Sequence, residues 1–214
     1  MHLEILVEEP SSEAALHNLI PRIVGAASSF AIYPFQGKSD LLSALPARLR
    51  AYARWLPPDW RIAVLIDADS ADCLAQKNRL EEMAREAGLQ TRSGVAQGEP
   101  FQVLNRLAVE ELEAWFFGDL EALRSAYPRV SSSLGNRAPY RDCDAIRGGT
   151  WEALERELQK VGYHRGGLAK IQAAREISAH MEPARNVSRS FQTFRRGLLD
   201  LISTETESPA PGRA

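Results

Sequence analysis

Two acids two residues apart, Asp67 and Asp69, stand directly behind the apolar run Ile62-Ala-Val-Leu-Ile66. Carboxylates are hard oxygen donors, and a pair at this spacing can converge on one Mg²⁺ or Mn²⁺ where a strand gives way to a turn. A second acidic pair, Glu8-Glu9, closes the run Leu3-Glu-Ile-Leu-Val7. Glu8 is read as the ligand and Glu9 as its neighbour, although residue type alone does not separate them. A third cluster, Glu110, Glu111 and Glu113, follows Leu107-Ala-Val109, and helical spacing would put Glu110 and Glu113 on one face. Divalent ions held by such carboxylates polarise a phosphate and activate water. Each cluster also has a plainer reading: Asp69 or Asp72 capping the next helix, and glutamates complementing a helix N-terminus. Three acidic clusters, each behind a predicted strand, favour metal chemistry over three separate caps.

The elements that must carry these acids are legible in outline. The run 62–66 is five consecutive apolar residues, three of them β-branched, as expected of a strand buried on both faces in a parallel sheet. Ligands of such sheets bind at the carboxyl ends of the strands, where these acids lie. Residues 3–8 predict a first strand, followed by a helix whose N-cap is Ser11 or Ser12 and whose apolar positions are Ala15, Leu16, Leu19, Ile20 and Ile23. Residues 30–35 predict an edge strand ended by Pro34, and 39–56 a helix kinked or split at Pro46. A helix over 72–87 stops at Gly88. A short strand is expected at 90–95 and another at 101–109. A helical stretch at 110–127 is interrupted at Gly118-Asp119. A long ordered loop covers 130–149, and helices follow near 150–161, 169–181 and 187–202. This alternation predicts an α/β fold with a mostly parallel, Rossmann-like sheet flanked by helices and a helical C-terminal extension. The expected organisation is a core over 1–127, a loop and helical extension over 128–203 packed on it, and a disordered tail over 204–214 rich in Ser, Thr, Pro and Gly.

Composition narrows the class of function. With 44% hydrophobic and 25% charged residues the chain reads as globular, and no apolar run approaches a membrane span. Cys73 and Cys143 lack metal-ligand spacing, and no basic-then-apolar leader opens the sequence, so a cytoplasmic location is expected. The four histidines are scattered, which argues against zinc, and no GxxxxGK[ST] or GxSxG is present. The net charge of −2 conceals an asymmetry: residues 1–150 hold 16 Lys/Arg and 20 Asp/Glu, whereas 160–200 hold 8 Lys/Arg and 3 Asp/Glu. Acid near the strand ends with base in the C-terminal part suits a metal site beside a phosphate-bearing ligand such as nucleic acid. Lys38, after Gln36-Gly37, and Lys170, opening a helix after Gly166-Gly167, are candidate phosphate contacts, with Arg185, Arg189 and Arg195 behind them. A receiver domain also needs acids after its first and third strands. It further needs a Lys after a fifth strand, where this chain offers Arg106 and a glutamate cluster.

The same residues carry a family resemblance. Val7-Glu8-Glu9-Pro-Ser-Ser-Glu13 resembles the opening of Toprim-type domains, Asp67-Ala-Asp69 resembles their DxD, and Glu113-Ala-Trp115 resembles the acid-x-Trp of compact bacterial Toprim-like families. The chain is most similar to a bacterial Toprim-like family named only as a domain of unknown function. The likeness extends through Gly166-Gly-Leu-Ala-Lys170 and Ser188-Arg-Ser-Phe191. It departs where Glu9 replaces the usual Gly. Relatives of this kind include overcoming-lysogenization-defect nucleases, topoisomerases and primases, and the resemblance implies a Mg²⁺- or Mn²⁺-dependent nuclease acting on DNA or RNA. It implies Glu8, Asp67, Asp69 and Glu113 as metal-holding residues, Lys170 as a catalytic-site cation, and an ATPase partner in anti-phage or mobile-element settings. Glu13, Asp72 and Glu110 form an outer tier. The alternative is a non-catalytic binding or regulatory partner of an ATPase on the same scaffold.

Overall fold

A computed structural model describes residues 1–25, 28–68 and 72–203. Four strands, β1 (His2–Val7), β2 (Ser29–Pro34), β3 (Trp60–Asp67) and β4 (Val103–Ala108), form one all-parallel sheet in the order β2-β1-β3-β4. The fold is therefore α/β, with helices on both faces. The register pairs Val7 with Leu65 and Pro34 on either side of β1, and Asp67 with Ala108. Chain order reverses between β1 and β3: the chain leaves β1 for β2 on one side and returns to β3 on the other. In open parallel sheets the crevice at such a reversal is where ligands bind.

The central strands β1 and β3 are buried on both faces, and strand alternation sorts two cores. Leu6, Ile62, Val64, Ile66 and Val103 face α2 (Lys38–Trp55) and α3 (Cys73–Glu86). Leu3, Ile5, Val7, Ala63, Leu65, Leu104 and Ala108 face the larger core. That core is completed by α1 (Pro10–Val24), α4 (Glu113–Phe117), α5 (Leu120–Ala126), α6 (Thr150–Lys160), α7 (Lys170–Ser178) and α8 (Arg189–Ser203). Asp67, two residues past Leu65, belongs to this second face. Trp115 anchors it: the ring is fully buried between Phe191 and Phe194, and its Nε1–H donates to Ser190 Oγ (2.8 Å).

α1 and α7 pack side by side, and their polar ties fix the direction. Asn18 donates to Arg175 O (3.1 Å) and Ser178 Oγ (2.9 Å), and Arg22 donates to Met181 O (2.7 Å) and Ala179 O (2.6 Å). Arg22 thus satisfies carbonyls left open at the end of α7, as basic side chains commonly do there. The C-terminal halves lie together, so the two helices run parallel and both N-termini reach the carboxyl edge of the sheet.

Several local expectations need correction. Residues 90–95 do not form a strand: Thr91 makes one bridge to Val103 and Arg92–Gly94 closes a 3-10 turn. α1 begins earlier than the serines predict, because Pro10 sits at its first turn, where a missing N–H costs nothing; Glu9 is the cap position. Pro46 does not split α2, which is assigned unbroken from Lys38 to Trp55. The stretch expected to be helical from 110 begins only at Glu113 and breaks at Gly118-Asp119. Glu110 and Glu113 therefore do not share a helix face, since Glu110 lies before the helix with φ of 62°. The loop at 130–149 is ordered by short 3-10 turns. The tail 204–214 lies outside the described residues.

Candidate functional site

The carboxyl edge at the strand-order reversal brings Glu8 to Asp67. Glu8 directly follows β1 and Asp67 ends β3, and the Asp67 N–H donates to Glu8 Oε2 (3.1 Å). The loop after β2 closes over the same point: Phe35 N–H donates to Val7 O (3.0 Å) and Gly37 N–H to Glu8 O (2.9 Å). Gly37 takes φ of 100°, which L side chains rarely adopt, and Lys38 follows it as the first residue of α2. Asp69 lies outside the described residues.

Glu113 enters as the first residue of α4, after the turn that follows β4. It is 1% exposed, and its Oε2 has no hydrogen-bond partner. Burial pushes its carboxyl up to about 7, with Glu111 and Glu9 adding to the rise and Lys170 opposing it. Glu4, another buried glutamate, provides the contrast: its oxygens accept from Tyr52 (2.5 Å) and Tyr33 (3.3 Å), and its Oε1 lies 2.9 Å from His2 Nε2. A buried carboxylate with an oxygen left over is costly unless it is protonated or binds something.

Lys170 opens α7 and supplies the opposing charge. Its Nζ lies 3.9 Å from Glu9 Oε1 and 5.1 Å from the centre of the Trp151 ring. Half-burial would lower its pKa, but Glu113, Glu9, Glu111 and Asp67 together raise it. One ammonium thus sits in the field of four carboxylates contributed by β3, the cap of α1, the turn before α4 and the start of α4. Glu111 builds the far wall. Its Oε2 accepts from Thr150 N–H (2.8 Å), Thr150 Oγ1 (2.8 Å) and Trp151 N–H (2.9 Å), capping α6 and holding Trp151 where Lys170 packs on it.

Residue reading therefore missed Glu9 and Glu111. Glu9 is more than a neighbour: it accepts from Ser11 Oγ and pairs with Lys170. The doublet Glu8-Glu9 before Pro10 was the available signal. Among the outer-tier residues, Asp72 caps α3 through Leu74 N–H (2.9 Å) and Ala75 N–H (3.2 Å). Glu13 lies in the first turn of α1, 3.8 Å from His17. Glu110, left-handed between β4 and α4, holds a conformation that costs a non-glycine residue on the order of 1–3 kcal/mol.

The basic candidates separate as well. Arg185 is held by buried Asp119, donating from Nε (2.9 Å) and Nη2 (3.0 Å), and by Glu121 (2.9 Å). Exposed Arg189 pairs with Asp142 (2.6 Å), and Arg195 donates to Gln192 Oε1 (3.3 Å). Unlike these three arginines, Lys170 is coupled to the carboxylates of the edge.

The donors suit a hard divalent cation, and the orphaned Glu113 oxygen is the type of atom such an ion would satisfy. Among the described residues no three His, Cys, Asp or Glu side chains stand close enough to hold an ion. A full set would thus draw on Asp69 or on movement of Glu113 toward Asp67 and Glu8.

Fold and site define an α/β protein with a carboxylate-and-lysine cluster at the carboxyl edge of a parallel sheet. Residues 7–199 match the model of the family described as domain of unknown function DUF4276, and the chain belongs to that family. No curated protein and no solved structure matches the chain. Among the described residues no helix is long and apolar enough to cross a membrane.

Proposed function

We propose that this edge is a divalent-metal-dependent phosphodiesterase site and that the protein is a nuclease acting on DNA or RNA. The observation that carries the reading is Glu113: a buried carboxylate with one unpartnered oxygen, coupled to Lys170 in the same field as Asp67. Glu8, Asp67 and Glu113, with Asp69, would hold Mg²⁺ or Mn²⁺. When bound, such an ion polarises the scissile phosphate and lowers the pKa of a bound water. The Toprim-like motifs fall on these residues, which supports the same chemistry, and an ATPase partner belongs to the proposal through that resemblance alone.

The protein's own groups account for the rest. The parallel α1 and α7 point their N-termini, with their partial positive charge, toward the edge, which favours an anionic substrate. Lys170 neutralises a phosphate oxygen, and Glu9 keeps its ammonium charged and placed. The face of the Trp151 ring, its centre 5.1 Å from the ammonium, adds a cation–π attraction that helps to place it. Glu113, with a pKa near 7, can take up or release a proton at neutral pH.

The test is cleavage of plasmid and single-stranded substrates in Mg²⁺ or Mn²⁺ against EDTA, with and without a candidate ATPase. Asp67→Asn is expected to reduce cleavage by roughly a hundredfold or more, since even outer partners of a metal contribute on that scale. It should also blunt the metal-induced rise in melting temperature, which for wild type at a hundred times Kd corresponds to about 2.7 kcal/mol. Equal metal-induced shifts in the two proteins would remove the metal from this site. A metal shift without cleavage of any substrate would leave a non-catalytic metal-binding module.

Lys170→Ala separates substrate contact from metal binding. The variant should keep the metal-induced shift, lose nucleic-acid affinity, and flatten the salt dependence of binding by about one counterion. It should also move Glu113 ionisation to higher pH, because Lys170 is what holds it down. An unchanged salt slope with unchanged cleavage would place the phosphate contact elsewhere.

A further inference from the structure

A cavity of about 590 Å³ opens between β4, the turn at 92–94 and α8, away from the carboxylate edge. Three guanidinium groups line it, from Arg92, Arg106 and Arg196, against one carboxylate, Asp200. Asp200 Oδ2 is 3.3 Å from Arg92 Nε, so the single acid is already shared with one of the three cations. Arg106 has only neutral partners: Nη1 donates to Asn105 O (3.0 Å) and Nε to Thr193 O (3.4 Å). Burial pulls Arg106 below its ordinary pKa, and Arg92 and Arg196 add to the pull against the attraction of Glu81 and Asp200. Three guanidiniums are thus gathered at the pocket around one lining carboxylate, with Glu81 the other acid attracting Arg106, so the cations outnumber the acids and a further anion is favoured.

The backbone is shaped to permit it. Gly197 lies within α8, where glycine is a poor helix former, and its Cα faces the Arg106 side chain. A methyl group built there would stand 3.0 Å from Arg106 Nη2, 3.1 Å from Nε and 2.7 Å from Leu104 Cδ1. The missing side chain lets α8 close onto β4 against the guanidinium, whose Nη1 and Nε are tied to Asn105 O and Thr193 O, which fixes the orientation of its donors. A planar fork held in advance, flanked by two further guanidiniums, matches a tetrahedral phosphate better than a single carboxylate. Arg196 Nη2, which donates to Thr193 Oγ1 (3.4 Å), adds a further guanidinium at the mouth.

We propose that the pocket formed by Arg92, Arg106 and Arg196 over Gly197 binds a phosphate group. The source is either a free phosphate or nucleotide, or a phosphodiester of a nucleic-acid strand. By strand alternation Arg106 lies on the same face of the sheet as Asp67, since Ala108, two residues on, is the register partner of Asp67. That face is covered by the larger core, so a strand held here would lie along the outside of α8 and the turn at 92–94, apart from the carboxylate edge. The pocket itself contains none of the proposed metal-holding residues and does not depend on the nuclease reading.

Binding is measured in EDTA, so no outcome depends on metal. The probes are inorganic phosphate and adenosine monophosphate by calorimetry, and a labelled single-stranded oligonucleotide by anisotropy over a salt series. The variants are Arg106→Gln, Gly197→Ala, which pushes a methyl into the cradle, and Arg196→Gln, whose exposed side chain leaves folding intact. Wild type should bind at least one probe, with affinity falling about tenfold in Arg106→Gln and less in Arg196→Gln. If the oligonucleotide is the ligand, each arginine variant also lowers the salt slope by about one. Binding of the small probes assigns a free phosphate; binding of the oligonucleotide alone assigns a strand. No binding of any probe, or binding equal in wild type, Arg106→Gln and Arg196→Gln, overturns the site. Loss of cleavage in Asp67→Asn with oligonucleotide binding intact in EDTA would separate this pocket from the metal reading.

Discussion

Glu113→Gln is expected to stabilise the metal-free protein at pH 8 and to change it little at pH 5. In the folded protein the Glu113 carboxyl is raised from its ordinary 4.5 to about 7, first by burial and then by Glu111 and Glu9, with Lys170 opposing. A carboxyl with a raised folded pKa holds its proton more tightly in the folded state. The stability that this contributes is fully present below about pH 4.5 and is lost as pH rises through about 7. At about 1.4 kcal/mol per pKa unit, the loss by pH 8 is on the order of 3 kcal/mol. Glutamine keeps the shape and never ionises, so the variant escapes that loss. Melting temperatures across pH 5 to 8 in EDTA measure the effect, and parallel curves for the two proteins would mean that Glu113 does not titrate as a buried acid. The same titration makes metal binding pH-dependent. An ion must displace the proton, so affinity for Mg²⁺ should tighten from pH 6 to 8 in wild type and lose that dependence in Glu113→Gln.

Asp119→Ala should cost about 2–3 kcal/mol, from the loss of a helix cap and of charge-assisted hydrogen bonds whose other partner, Arg185, is part-exposed and keeps Glu121. Its side chain is inaccessible to solvent and accepts from Arg185 Nε and Nη2, from the Glu182 N–H (2.9 Å) and, as the cap of α5, from the Ala122 N–H (3.1 Å). The substitution removes two charge-assisted bonds, one helix cap and the tie between α5 and the segment before α8. That segment seats Asn186, whose Nδ2 donates to Trp115 O (2.8 Å), so the loss reaches the ring at the centre of the larger core. Urea denaturation measures it as a lowered midpoint at constant slope. A loss below about 1 kcal/mol would show that Arg185 is not committed to Asp119 and would return it to the candidate phosphate contacts.

What residue order alone settled is what local periodicity and chain punctuation encode. The unbroken run 62–66 marks β3 as a buried parallel strand because both of its faces must be covered, and that puts Asp67 at a carboxyl end. Pro34 marks β2 as an edge, Gly88 ends α3, and Gly118-Asp119 breaks α4 from α5. The turn at 92–94 escaped, since a short run with some β-branched residues reads alike as strand or turn until a neighbour offers hydrogen bonds along its length. Here Val103 offers one bridge. Tertiary structure alone decided that β3 lies beside β1, so that the Asp67 N–H meets Glu8. It also decided that α7 runs parallel to α1, so that Lys170 arrives beside Glu9 and Glu113. The left-handed Glu110, the role of Glu111 as the cap of α6 and the gathering of Arg92, Arg106 and Arg196 over Gly197 were equally invisible. These are meetings of residues far apart in the chain. Periodicity tells each side chain which way to face; which partner waits there is set by how whole helices and strands pack, and that leaves no mark within any one segment.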